Sequence, residues 1–435
     1  MKILLYILTT LLTDLYFFPI EAQALPGINS KMVLAALGLV WFIINLTGKH
    51  RGKLDTGFST LSLIALVISI ISFASVTINN TFDDTYVTYI VSMWVWLGGA
   101  YFVVQFIQAV HGRISIELVA NYLIAVCVAQ CLVSFIMTQY TPLRNWVDST
   151  LGGEAYMRGY EDRVYGIGAA LDVAGIRFSG ILVVIAFLTA NLKSHNTNSY
   201  FSWYVLSFIF ITIMGSIIGR STMIGAIIGL CYWTFIKQPL SIKNIVGRRW
   251  GMAIAILLIT ITTGIYLYNT NNTFHNNIRF GFEGFFSWIE TGEWRTNSTD
   301  ILKTMVVFPE SLHTWLIGDG YIENPSNNPE IAPYYTGEIY PGFYMNTDIG
   351  YLRFIFYFGL PGTLAFIALF VCAFYILQRR FPAYRWLFLL ILAVNLICWI
   401  KVSSDIFPLF ALFLCISPSE ARNSLDANTL AAAPA

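Results

Sequence analysis

The chain has 435 residues, of which 57% are hydrophobic and 11% charged, where a soluble domain carries about a quarter charged residues. Two or three soluble domains could not hide that apolar surplus, and the balance of 25 basic against 24 acidic residues excludes a nucleic-acid binder or an acidic tail. Apolar blocks recur from end to end, most of them long enough to cross about 30 Å of hydrocarbon. The composition therefore predicts an all-α polytopic membrane protein. Blocks between polar breaks place spans near residues 3–20, 31–47, 58–78, 87–110, 114–138, 176–192, 201–218, 221–237, 251–269, 349–377, 386–400 and 403–417, about twelve transmembrane helices. Residues 201–237 carry one charge, Arg220, before the block ends at Lys237. A single helix of that length would run about 55 Å, so a hairpin breaking at Gly215 to Arg220 is expected. The transmembrane domain covers residues 1–423, and 424–435 reads as a tail or an expression remnant. The six cysteines lie within or beside apolar blocks and read as small buried apolar side chains.

With the N-terminus inside, Lys49, Arg51, Lys53, Arg113, Lys193, Lys237, Lys243, Arg248, Arg249, Arg379, Arg380 and Arg385 all fall on one side. By the positive-inside rule that side is the cytoplasm. The opposite short loops, 21–30 and 79–86, hold Glu21, Asp83 and Asp84 and no Lys or Arg. The first block resembles a cleavable signal in its Lys2 and its Ala22-Gln23-Ala24, but Asp14 interrupts it and favours a retained helix.

Only two loops are long, 139–175 and 270–348, and both fall outside. The second holds fifteen aromatics between Phe274 and Tyr344, mixed with amides and prolines. Aromatic rings stack on sugar faces while amides meet hydroxyls, although the same aromatics would also anchor a loop at headgroup level. Amphipathic helices on the membrane are expected here, notably at residues 299–307.

Charges at a membrane boundary are costly and therefore read as functional. Arg163 through Asp172 to Arg177 leads into the sixth span, and Asp348 to Arg353 leads into the tenth. Residues five apart in a continuous helix lie about 140° around the axis, so each arginine is expected to be free for a ligand. Arg220, followed by Ser221 and Thr222 at a helix start, makes a third anion-binding expectation. Each arginine could instead snorkel to lipid headgroups. Arg279 and Arg295 in the long loop are expected to converge on the same place. The chemistry implied is recognition of a diphosphate at the outer membrane boundary, for which the planar guanidinium fork is suited. No P-loop, HExxH, GxSxG or Asp-x-Asp is present, so ATP hydrolysis, zinc proteolysis and serine acylation are unsupported. His275 and His313 are the outer histidines; both suit loop hydrogen bonding better than proton abstraction, and His313 joins the candidate substrate-binding set.

Taken in order, Arg163 to Arg177, Gly215-Ser-Ile-Ile-Gly-Arg220-Ser221, Leu316-Ile-Gly-Asp-Gly-Tyr321 and Asp348 to Gly362 resemble the O-antigen polymerase and ligase superfamily, particularly the Wzy-type polymerases. The resemblance covers roughly residues 160–365. It implies a fold related to the C-type glycosyltransferase architecture. The implied activity is polymerisation of undecaprenyl-diphosphate-linked oligosaccharide repeat units on the periplasmic face of a bacterial inner membrane, with no cofactor and no metal. Ligases of the superfamily usually show His or Asn where this chain has Thr347-Asp348, which favours the polymerase. The implied partners are the lipid-linked donor and acceptor, the bilayer and a chain-length regulator. In this reading Arg177, Arg220 and Arg353 hold the leaving diphosphate, and Asp348 or Asp172 serves as base or as counter-ion. Arg163, Ser221, Arg279 and Arg295 contact substrate. A ligase on the same scaffold, or a lipid-linked oligosaccharide flippase, is the alternative.

Overall fold

A computed structural model describes residues 2–47, 56–152, 164–191, 197–236, 262, 264–325, 335 and 342–417. Six of its helices are long and apolar enough to cross a membrane: α3 (Thr56–Ile78), α4 (Tyr89–His111), α5 (Ile116–Gln139), α7 (Leu171–Ala190), α8 (Thr197–Ile218) and α14 (Gly350–Arg380). Shorter apolar helices are α1 (Lys2–Phe17), α2 (Ser30–Thr47), α9 (Thr222–Cys231), α15 (Arg385–Cys398) and α16 (Phe407–Leu414). Outside the apolar blocks lie α6 (Thr141–Thr150), α10 (Asn272–Gly281), α11 (Glu283–Thr291), α12 (Asn297–Thr304) and α13 (Leu312–Leu316). Of the expected ninth span, residues 251–261 and 263 lie outside the described residues, and 264–269 are helical. The eleventh and twelfth expected spans are helices of 14 and 8 residues, about 21 and 12 Å long. Neither length reaches across the hydrocarbon. The turn between them dips into the bundle, where Ile406 is fully buried and packs against Gly180, well inside α7.

Helix α7 is the centre. Every residue from Ala174 to Leu188 is buried, and the helix packs against α5, α8, α9 and α15. The break between α8 and α9 falls at residues 219–221, within a residue or two of the expected hairpin break. Small residues allow it: a side chain at Gly175 would meet the Gly219 carbonyl at 2.9 Å, so the turn can lie against the first turns of α7.

Helix α14 is two helices. Phe358 (φ −136°) and Gly359 (φ +69°, ψ −175°) leave helical geometry just before Pro361. The rings of Phe354 and Phe366 therefore stand 5.0 Å apart, whereas twelve residues of straight helix would separate them by about 18 Å. The expected tenth span is thus a short leading helix, 350–357, followed by the apolar helix 360–380.

The loops sort to two ends. At one end β1 (Glu21–Ala22) pairs antiparallel with β2 (Leu151–Gly152), Glu21 opposite Gly152. Asn79 donates to Gly318 O (2.9 Å), Thr81 to Gly320 O (3.0 Å) and Ile322 N to Asp83 (2.9 Å). Segment 21–30 is thus joined to 139–152, and 79–86 to 312–325. At the other end His111 meets Tyr122 (2.7 Å), Tyr384 donates to Glu117 and Arg380 donates to Leu414 O (2.6 Å).

Candidate functional site

The leading helix 350–357 is held at its C-terminal end by the turn at Gly318 to Gly320. Asp319 N donates to Phe356 O (2.6 Å), Gly320 N to Tyr357 O (3.2 Å), and Ser75 Oγ also reaches Tyr357 O (2.7 Å). These donors satisfy carbonyls that a helix end leaves unpaired. Gly318 (φ +84°) would carry a Cβ 2.5 Å from Tyr357 O, and Gly359 one 2.7 Å from Leu316 O. The Leu316 to Tyr321 motif therefore positions Arg353.

Arg353 is buried. Its Nη1 lies 3.6 Å from Asp348 Oδ1, its Nη2 donates to Ile322 O (3.4 Å), and its guanidinium sits 3.8 Å over the Phe343 ring. The expectation that this arginine is free of its own aspartate is corrected here. Asp348 precedes the helix start, with Ile349 in extended geometry between them, so the rotation rule for continuous helix does not apply. Burial pushes the Asp348 carboxyl up to about 6, against the opposing pull of Arg353.

Asp172 and Arg177 do share a continuous helix, and there the rotation rule holds. Asp172 pairs with Lys401 (2.9 Å), and the Ser221 hydroxyl donates to the same oxygen (3.0 Å). This pair faces the other: Asp172 raises the proton affinity of Asp348, and Lys401 lowers it. Ser221, Asp172 and Lys401 thus form one hydrogen-bonded group within electrostatic reach of the pair of Asp348 and Arg353.

Arg220 lies at the break before α9, where its Nη1 contacts Glu283 (2.8 Å) and Ser298 Oγ (2.9 Å) above the Phe280 ring (4.1 Å). Arg279 pairs with Glu290 (2.9 Å) over Phe286, and Arg295 pairs with Asp300 (3.1 Å). These three arginines line one cleft of about 690 Å³. Two of its three helices start at side-chain caps, where Asn271 accepts from Phe274 N (2.9 Å) and Thr296 from Thr299 N (2.9 Å). Helix α12 occupies the place expected for an amphipathic helix.

The arginines do not converge on one point. Arg177 is buried among Phe17, Phe18 and Trp96 and donates to Phe17 O. Its electrostatic partners are Asp405, Tyr16 and Lys31 rather than the Asp348 network. His313 Nε2 meets Asn79 Oδ1 (2.9 Å), tying α13 to the loop after α3. Arg163 lies outside the described residues.

Sequence reasoning missed Lys401, Glu283 and Asp405. The first and last stand between two short apolar blocks, the same signal that singled out Asp348. Glu283 has no such mark.

No family model matches the chain, and neither a curated protein nor a solved structure matches it.

Proposed function

We propose that the protein is a glycosyltransferase that joins oligosaccharide repeat units carried on undecaprenyl diphosphate, at the periplasmic face of a bacterial inner membrane. The observation that carries the reading is the pair of facing ion pairs, Asp348 with Arg353 and Asp172 with Lys401, under the aromatic-rich loop. The new bond joins an acceptor hydroxyl oxygen to the anomeric carbon of the donor, and the bond from that carbon to the diphosphate oxygen breaks. The hydroxyl proton goes to Asp348, whose raised proton affinity suits a base working near neutral pH. Protonation removes the charge that Arg353 answers in the resting protein. The guanidinium then meets the leaving diphosphate as its negative charge develops, which is when stabilisation lowers the barrier. Lys401, held by Asp172, adds a second cation. Arg220 sits one residue from the Ser221 that ties into this network, and its pairing with Glu283 joins the break before α9 to the loop helices. Arg177 is placed deeper, and its role is to position α7 against α1.

The test is reconstitution of the purified protein with lipid-linked repeat units. Polymer should form and free undecaprenyl diphosphate should accumulate in step with each linkage. Cells lacking the protein should carry surfaces capped with single repeat units. Surfaces with no repeat units, and no polymer in vitro, would instead identify a flippase and overturn the reading.

A further inference from the structure

The 690 Å³ cleft has a volume typical of sites that enclose a multi-ring ligand, yet it is separate from the Asp348 network. Three arginines in one cleft look at first like an anion site. Their partners argue otherwise. Arg220, Arg279 and Arg295 are bound to Glu283, Glu290 and Asp300 respectively. Glu293 adds a fourth carboxylate to the lining. Three cations against four anions leave the lining net negative. Even with Lys303, which reaches Asp300 from outside the lining (3.3 Å), the charges only balance. A phosphate or a sugar carboxylate would have to displace a carboxylate already in place and would then face the remainder.

Hydroxyl-rich rings fit the same lining. Each sugar hydroxyl is both donor and acceptor, so it can give to a carboxylate and receive from a guanidinium without disturbing the pairs. Phe280 and Phe286 supply apolar faces, each backed by an arginine at 4.1 and 4.9 Å. The cleft also meets the reaction centre at one point: Arg220 lines it, and the next residue, Ser221, bonds to Asp172.

We infer that this cleft binds the glycan of the lipid-linked substrate, and that the glycan is uncharged or amino-bearing and not acidic. The inference rests on the polymerase reading and adds to it the place and the charge class of the sugars. It also removes Arg220, Arg279 and Arg295 from diphosphate recognition.

The experiment uses the full chain in lipid nanodiscs with two probes: undecaprenyl diphosphate alone, and the lipid-linked oligosaccharide fraction extracted from cells lacking this protein. Wild type should bind the glycan-bearing lipid at least about tenfold more tightly than the bare lipid. Ser287→Trp and Thr291→Trp, both on α11 and pointing bulk into the cleft, should each lose that increment. Their affinity for undecaprenyl diphosphate should stay within about twofold of wild type. Independently of any variant, oligosaccharide released from the lipid by mild acid should displace the glycan-bearing probe and leave bound undecaprenyl diphosphate in place. Sugar analysis of the extracted fraction should find neutral or amino sugars. If the tryptophan variants keep the increment, or the released oligosaccharide displaces nothing, the glycan binds elsewhere while the polymerase reading stands. A glycan rich in uronic acid or phosphate, bound with the full increment, overturns the charge assignment. If wild type binds neither lipid, the polymerase reading fails and takes this inference with it.

Discussion

At the scale of single residues the centre of the argument is Asp348. Asp348→Asn keeps shape and hydrogen bonding but cannot take the proton, so turnover should fall about 10²- to 10⁴-fold while the lipid-linked donor still binds. A single-turnover assay separates the two effects; undiminished polymerisation would eliminate the base role. Were Asp348 only a counter-ion, adding Asp348→Asn to Arg353→Gln would cost nothing further. The pH dependence has a definite sign. A carboxyl pushed up to about 6 by burial is protonated, and idle as a base, below that value, so the rate should climb as pH rises through about 6. Stability should move the other way between about 4 and 6, because the folded state holds this proton more tightly than the unfolded chain. Arg353→Lys keeps charge and loses the planar fork, and it should cost about 1.5 to 3 kcal/mol of transition-state binding, read as kcat/KM. The candidate charges were legible because aspartate and arginine beside a membrane block are costly. Who pairs with whom was not: Lys401 reaches Asp172 across 229 positions of sequence, and no local spacing encodes that.

At the scale of elements, the break before α9 was legible from length alone, since 37 apolar residues make a helix too long for the bilayer. The kink in α14 was not read, although Gly359 and Pro361 lie in the sequence to mark it; the unbroken hydrophobicity of 349–377 masked it. The kink and the Gly318 turn depend on one another, each being backed by the other's main chain. Gly359→Ala places a side chain where φ is +69° and against the Leu316 carbonyl. It should cost about 1 to 3 kcal/mol, and Gly318→Ala about as much. Both should lower the detergent-solubilised Tm and also weaken polymerisation beyond the stability loss, since Arg353 rides on the helix they hold. Wild-type activity in a variant with a lowered Tm would show that the leading helix has no need of this cap.

For the whole molecule, sidedness is an expectation from alternating lysine and arginine counts, while the membrane-spanning character was legible in the apolar blocks. Depth was less so: nothing in composition distinguishes the half-length helices α15 and α16 from full spans. In a background without native cysteines, Asn145→Cys and Asn297→Cys should react with an impermeant maleimide added to intact spheroplasts, and Arg379→Cys should react only after lysis. The reverse pattern would invert the orientation and with it the site. The buried position of α16 has a consequence for how the chain is made. All eight of its residues are buried, against α1, α4, α5 and α14, so it plugs a space that the earliest helices must surround. A ribosome adding about 5 to 20 residues per second delivers Phe407 roughly 15 to 60 s after His111. For that interval α1 and α4 lack the segment that they later surround, and their packing waits on a helix made far later in the chain.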